Sequence, residues 1–369
     1  SKLMELWKST LENLVMPTSD FWKNKRVFLT GHTGFKGSWL SLILSELGAQ
    51  VCGFSLPPEN DIYHQLQVPK KVESHHGDLR DVPHLERLIN EFKPEVLFHL
   101  AAQALVRKSY DFPRDTWSVN LMGTINLLDS ISKVDSLKSV VIVTTDKVYR
   151  NTNDGIPFKE NDPLEGADPY SASKAAADIA SFSYAKSFYN KRNGSLRLAT
   201  ARAGNVIGGG DWAEDRLIPD IFRSIKLGKE LDIRNPHATR PWQHVLDVCN
   251  GYLSLAQYCY SLSSEETPRA FNFGPSLSHS WSVQQILEFM KKNLDTPFNW
   301  RCIENNVDKP EAQKLFLDAQ KANHQLQWSP KLDIHQALLW TIDWYQSWLD
   351  GGHLEAVTVE QIKKYGKMP

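Results

Sequence analysis

From Arg26 onward, short runs rich in β-branched residues alternate with longer stretches of helical periodicity. Arg26–Leu29, Gln50–Phe54, Val72–His75, Val96–Leu100, Ser139–Thr144 and Leu196–Ala201 are too short for helices, and their composition predicts strands. Strand, helix and strand repeated in this order predicts a doubly wound α/β fold, with a parallel Rossmann-type sheet covered on both faces. After Gly208 the pattern loosens into Gly-, Pro- and Trp-rich loops between shorter helices, which predicts a smaller mixed α/β lobe over the mouth of the sheet. Gln243–Leu246 and Ala270–Phe273 read as strands again, so the boundary is not one cut. We expect an extension over residues 1–20, a sheet domain over 21–205 with 241–274 returning to it, and a lobe built from 206–240 and 275–369. Ile334–Leu349 is strongly helical and amphipathic. In the extension, Leu3, Leu6, Trp7, Leu11, Leu14 and Val15 recur at helical spacing until Pro17 breaks the pattern. That helix is expected to pack on the body or on a second subunit. Its polar face is too poor in Lys and Arg for a membrane-surface helix.

Composition narrows the partners. Forty-two Lys and Arg against forty-three Asp and Glu leave a formal charge of -1, with no basic run. This argues against nucleic acid and means that an anionic ligand must be held by local cations. Cys52, Cys249, Cys259 and Cys302 form no CxxC pair, and His75 and His76 have no accompanying ligand set in sequence. Neither a metal nor a disulfide framework is expected. No apolar stretch is long enough to span a bilayer and no signal-peptide core is present, so the expected location is the cytoplasm, away from membranes.

The chemistry begins at the first strand. Arg26 to Ser38 reads as strand, glycine-rich turn and helix start, with Gly31, Gly34 and Gly37 spaced GxxGxxG around Thr33, Phe35 and Lys36. Glycines there allow a tight turn and let a pyrophosphate approach the N–H groups of a helix. The second strand ends at Ser55 without the acidic residue that holds an NAD ribose and without an arginine for a 2′-phosphate, which favours NAD over NADP. Asp78 and Leu79 follow the third strand, where Asp78 is either an adenine neighbour or a turn and N-cap residue. Leu100, Ala101, Ala102 and Gln103 end the fourth strand, with small side chains where a cofactor would lie close.

Tyr170 and Lys174 stand four residues apart, on one face of a helix. A neighbouring ammonium favours the phenolate, and we expect Lys174 to supply that field while bonding the nicotinamide ribose. Thr144-Thr145-Asp146-Lys147 ends a buried strand upstream. A strand-end hydroxyl, a phenol and an ammonium in this order form a site for hydride transfer from an alcohol.

These motifs carry a resemblance. TGHTGFKG, LAAQ, Asn120 in SVNLMGT, TTDKVY, YSASK and RAGNVIGGGDW resemble the extended short-chain dehydrogenase/reductases from about Phe21 onward. Within that family, HTGFKGSWLSL, RAGNVIGGGDWAEDRLIPDI and IRNPHATRPWQHV are most similar to nucleotide-sugar 4,6-dehydratases that act on CDP-glucose. The resemblance implies a lyase that uses NAD, with Asn120 and Thr144 joining the cofactor set. It implies that Tyr170 takes the C4 hydroxyl proton, Thr145 steadies that oxygen, Asp146 protonates the leaving C6 hydroxyl and Lys147 takes the C5 proton. The alternative for Lys147 is a salt bridge or a phosphate contact. In related dTDP-glucose enzymes an Asp-Glu pair stands at this point.

The resemblance also places Asn205, Arg216, Leu217, Arg234, Arg240 and Asn272 around the sugar nucleotide. It implies a homodimer or homotetramer through helices beside YxxxK, and a place in dideoxysugar and surface-polysaccharide synthesis. Trp212 and Trp242 flank the site, where rings can pack on sugar or base, but tryptophans are more often core or interface residues and neither is assigned. Two other readings stay open: a nucleotide-sugar 4-epimerase or a dehydratase of another sugar nucleotide, and a non-catalytic NAD-binding module.

Overall fold

The computed structural model describes residues 19–59, 61–189, 196–262, 268–275, 280–303 and 314–369. The helix expected over 1–20 lies almost wholly outside these residues. The core is a seven-stranded sheet made of β1 (Arg26–Thr30), β2 (Gln50–Ser55), β3 (Glu73–His76), β4 (Val96–His99), β5 (Ser139–Val143), β6 (Arg197–Ala203) and β7 (Ala270–Phe273). Every pairing is parallel, in the order β7-β6-β5-β4-β1-β2-β3. The order reverses between β1 and β4, and the crevice outside the carboxyl ends of these strands is where such sheets bind ligands.

Apart from the polar edge strand β3, the strands are apolar on both faces because both are covered. Val27, Leu29, Val141, Val143, Ala199 and Ala201 enter one core with Trp39 and Leu40 of α1 (Phe35–Glu46). Their neighbours Phe28, Val140, Ile142 and Leu198 enter a second core. There they meet Leu85, Leu88 and Ile89 of α2 (Val82–Phe92) and Leu127 and Leu128 of α3 (Gly123–Ser130). Fully burying each such side chain contributes about 1.5–3 kcal/mol, so alternate residues pull the sheet into its two helical layers.

The Tyr-Lys motif lies on α4 (Pro169–Tyr184), which starts with a capping box between Asp168 and Ser171. In the lobe, α5 (Leu217–Leu227) precedes two short ladders: Leu231–Ile233 with Trp300–Cys302 in parallel, and Thr239–Pro241 with Ser280–Ser282 antiparallel. The strand expected over Gln243–Leu246 is cut short. Gln243 and His244 pair in parallel with Val206 and Ile207, and the helix α6 (Val245–Ser261) takes over at once. His244 supplies the cap, its Nδ1 accepting from Leu246 N at 3.2 Å. The apolar residues from Val245 onward bury at helical spacing, and this outweighs their β-branched composition. After α7 (Val283–Asn293), the expected C-terminal helix forms as α8 (Ile334–Leu349). Tyr345 on α8 donates to Asp211 O at 2.5 Å, and Trp39 donates to Gly209 O at 2.8 Å, which anchors the loop over the cleft. Among the described residues no helix is long and apolar enough to cross a membrane.

Candidate active site

The loop between β1 and α1 is shaped by close backbone approaches. Gly31 has φ +77°, and a Cβ there would come within 2.6 Å of Ala101 N. A Cβ on Gly37 would strike Gly31 O. Both glycines are required by the protein itself. Gly34 differs: a Cβ would meet only Gly31 O, at 3.5 Å, and the residue is exposed at the start of α1, which no side chain caps. Open space before unclaimed helix N–H groups fits a pyrophosphate. Beneath the loop, His99 ties β1 and β4 to α3, bonding Thr30 Oγ1 at 2.7 Å and Thr124 Oγ1 at 3.0 Å. Leu100 and Ala101 both donate backbone N–H groups to Thr30 Oγ1 at 3.2 Å, which draws the chain against Gly31. Phe35 is partly buried against the first core.

The cofactor-side residues divide by what their polar groups already do. At the end of β2, the Ser55 and Thr33 hydroxyls meet at 2.8 Å, and Thr33 also donates to Leu56 O at 3.1 Å. Asp78 serves its own turn: it accepts from Arg80 N at 2.9 Å and from the Arg80 guanidinium at 2.9 and 2.6 Å. Its carboxyl is therefore held below the usual range. Leu79 is buried, with its side chain packed under Gly123 and its carbonyl accepting from Asn126 at 3.1 Å. Asn120 is fully buried and acts as a clamp. It accepts from Gln103 N at 2.8 Å and donates to Gln103 O at 3.1 Å and Ser173 Oγ at 3.0 Å. Gln103 folds onto its own loop through Leu105 and Thr116, while Ala102 stays half-buried beside it.

The chemical residues converge where β5 ends. Thr144 donates to Asp178 at 3.2 Å, and Asp178 is paired bidentately with buried Arg202 at 2.9 and 2.8 Å. One residue on, Thr145 caps a single turn over Asp146–Val148, and its side chain acts on the Tyr170 phenol. Asp146 is fully buried; its Oδ1 accepts from Thr145 Oγ1 at 3.0 Å and Lys147 Nζ at 3.3 Å, while Oδ2 has no hydrogen-bond partner. Gly204, just after β6, leaves room for that oxygen, since a Cβ there would collide with it. Gly204 was not singled out from sequence, because nothing local marks a glycine whose partner lies on another strand.

The electrostatics set Lys147 and Lys174 apart. Burial raises the Tyr170 phenol above its ordinary value, and the cation that opposes this most is Lys147, not Lys174. Lys174 turns instead to Val143 O at 2.7 Å, and burial, reinforced by Lys36, pulls its ammonium down to about 7. Burial also acts to lower Lys147, but Asp146 and Tyr170 outweigh it and hold the ammonium above its ordinary value. Lys36 donates to Tyr252 OH at 3.2 Å, and burial together with Arg216 brings it down to about 8.

Arg216 and Arg240 reach this pocket. Arg216 precedes Leu217 at the start of α5, is fixed by Asp211 at 2.8 Å, and acts electrostatically on Tyr170 and Lys36. Arg240 acts on Lys147. Cations thus gather in the cleft of a nearly neutral chain, as an anionic ligand requires. Arg234 pairs with Asp215, which also holds Arg107 at 3.3 Å across from the β4 side. Arg107 went unremarked in the sequence because its partner is far along the chain. Asn205 lies half-buried after β6, its carbonyl accepting from Gln243 N at 3.1 Å. Asn272 does not open onto the cleft. Its amide donates to Phe158 O at 2.9 Å and Asp318 O at 3.1 Å, and its oxygen accepts from Tyr149 at 2.7 Å. Trp212 packs on Tyr345 and Trp348, and Trp242 is buried.

Residues 28–339 match the family model described as GDP-mannose 4,6 dehydratase. The chain is 42% identical over 355 residues to the CDP-glucose 4,6-dehydratase of Salmonella typhimurium, covering 95% of this chain and 98% of that protein. It is 27% identical to the CDP-paratose 2-epimerase of Salmonella typhi, covering 87% and 99%. Among solved structures, a UDP-glucose 4-epimerase from Thermotoga maritima with UDP-glucose superposes with a TM-score of 0.75 at 22% identity, covering 88% of this chain and 99% of that one. A dTDP-glucose 4,6-dehydratase from Bacillus anthracis in complex with NAD gives 0.74 at 22% identity, covering 90% and 99%. At such identity the superpositions speak for the fold alone.

Proposed function

The chain belongs to the GDP-mannose 4,6-dehydratase family, and from that premise we propose that it converts CDP-glucose to CDP-4-keto-6-deoxyglucose and water, with NAD recycled in each turnover. The observation that carries this reading is the pair of buried Asp146 and half-buried Lys147 beside Tyr170. An epimerase needs the phenol, the hydroxyl and the ammonium, but no acid for a leaving group. A dehydratase needs one. The Salmonella relative's name supports CDP-glucose as the substrate.

NAD, when bound, would supply the acceptor for the C4 hydride and its return to C6. The open face at Gly34 and the uncapped N-terminus of α1 would receive its pyrophosphate, and Thr33 and Ser55 would offer hydroxyls where an acidic residue usually meets the ribose. Tyr170 takes the C4 hydroxyl proton, with Thr145 holding the oxygen and Lys147 favouring the phenolate. The C4 ketone then acidifies the C5 proton.

Elimination requires a neutral acid and a neutral amine, whereas the resting pair favours an ammonium on Lys147. One proton moved along the Lys147 Nζ–Asp146 Oδ1 contact creates both. Lys147 takes the C5 proton and Asp146 gives its proton to the departing C6 hydroxyl, which leaves as water and returns the pair to its resting charges. Arg216 and Arg240 hold the substrate diphosphate, with Arg234 freed from Asp215 to join them. The apolar surface around α4, including exposed Ile179 and the nearby Trp117 and Met122, supports assembly as a homodimer or homotetramer.

The test is a panel of CDP-, dTDP-, UDP-glucose and GDP-mannose, with products read by proton NMR. A C6 methyl group and a 4-keto carbon from CDP-glucose are expected, with no net reduced cofactor. An inverted C4 with its C6 hydroxyl intact would make the chain an epimerase.

A further inference from the structure

At the free edge of the sheet, on the face that carries the second core, three metal-ligating side chains meet. Cys52 on β2 is the register partner of Glu73 on β3, and His75 follows Glu73 on the same side of the strand. The Cys52 sulfur, a Glu73 carboxylate oxygen and a His75 ring nitrogen all lie within 4.8 Å of one another. His75 Nε2 and Glu73 Oε1 are 2.8 Å apart. The thiol is buried, whereas Glu73 is exposed and His75 partly so, and among the described residues no strand pairs with β3 on its outer side.

We propose that Cys52, Glu73 and His75 form a site for one borderline divalent cation of the Zn²⁺ class, separate from the catalytic cleft. One sulfur, one imidazole and one carboxylate are the donor set that such ions take, and a fourth position stays open to water. With metal–ligand bonds of about 2.0–2.3 Å, the ligand atoms of a tetrahedral site lie roughly 3.3–3.6 Å apart. The His75–Glu73 contact therefore opens slightly while the sulfur closes by up to about an ångström, within the reach of side-chain rotation. On binding, the sulfur–metal bond forms, the thiol S–H bond breaks and its proton leaves to solvent.

The ligands come from two adjacent strands, so spacing along the chain does not reveal them. This runs against the sequence expectation of no metal. The ion would also fix the strand that backs the dinucleotide loop. Between the two β3 ligands, Ser74 turns to the opposite face, where its Oγ meets His32 Nε2 and Tyr63 OH, each at 2.6 Å.

Tag-free protein titrated with Co²⁺ is expected to bind one equivalent, giving a near-ultraviolet sulfur-to-cobalt band with four-coordinate visible absorption, both displaced by Zn²⁺. Cys52→Ala should abolish the sulfur band. His75→Gln, at a solvent-open position, should fold normally and weaken Co²⁺ affinity at least tenfold. If Cys52→Ala does not fold, the His75→Gln titration decides alone. Absence of the sulfur band at one equivalent, its persistence in Cys52→Ala, or unchanged affinity in His75→Gln overturns the site.

Discussion

Around the loop after β1 the decisive contacts are made by backbone: Gly31 against Ala101, Gly37 against Gly31 O, and the bare N-terminus of α1. Around the turn after β5 they are made by side-chain charges: Asp146 between Thr145 and Lys147, and Tyr170 within reach of Lys147, Arg216 and Asp146. The first region depends on shape, so Gly31 and Gly37 tolerate no added atom. The second depends on which partner stands nearest, so isosteric changes that move charge should alter it most. Binding and chemistry are thus separable by mutation within one cleft.

The largest separation is expected from Tyr170→Phe. Losing the proton acceptor should lower turnover about 10²–10⁴-fold, while NAD affinity, followed by fluorescence titration, stays within about twofold. A large loss of NAD affinity would join the two regions.

Next come the glycines. Gly37→Ala forces a Cβ into Gly31 O and should cost about 1–3 kcal/mol of stability, read by thermal melting, along with cofactor affinity. Gly34→Ala has room in the protein itself, so its melting temperature should match the wild type while NAD binding weakens at least tenfold. Equal NAD affinity in Gly34→Ala would remove the pyrophosphate from that position.

A smaller effect sharpens the assignment of the cation. The phenol of Tyr170 is raised by burial and opposed by Lys147, so the rate of C4 oxidation should climb with pH as the phenolate forms. Lys147→Met removes the opposing charge and should move that rising limb to higher pH. Lys174→Met should move it less. The reverse ranking would restore the expectation that Lys174 governs the phenol.

The smallest expected change concerns stability. Lys174 is depressed to about 7 in the fold, so between pH 7 and the ordinary lysine range the unfolded chain binds the extra proton and stability rises with pH. Lys174→Met should flatten that rise and, near pH 7, stabilise the protein by about 1 kcal/mol while activity falls. Melting curves across pH 7–10 check both signs.

The contrast also explains what the sequence disclosed. All seven strands of the main sheet and α8 were legible because local periodicity and burial agree there, and the glycine spacing was legible because backbone geometry is local. The Gln243–Leu246 segment misled because β-branched residues were used at helical spacing in α6. Within the site, the motifs identified Tyr170, Lys174, Thr145 and Asp146. They did not reveal that the single turn at Asp146–Val148 brings Lys147, rather than Lys174, to bear on the phenol. Gly204 facing Asp146, and Arg107 reaching Asp215, are contacts between distant segments with no signal in local spacing. Asn272 and Asn120 look like ligand residues in sequence, but in the fold their amides are occupied by the protein's own groups.

The central claim is that Asp146 acts after C4 oxidation, and one experiment addresses it directly: single turnover of CDP-glucose deuterated at C4 by Asp146→Asn. The substitution keeps the shape of the carboxylate but cannot donate its proton, so hydride should leave C4 at nearly the native rate. Reduced nicotinamide absorbance should then build up on the enzyme, with little C6 methyl formed and deuterium at C6 in whatever product escapes. If the variant never accumulates reduced cofactor and instead loses C4 oxidation itself, Asp146 belongs to the first step and the proposed division of labour is wrong.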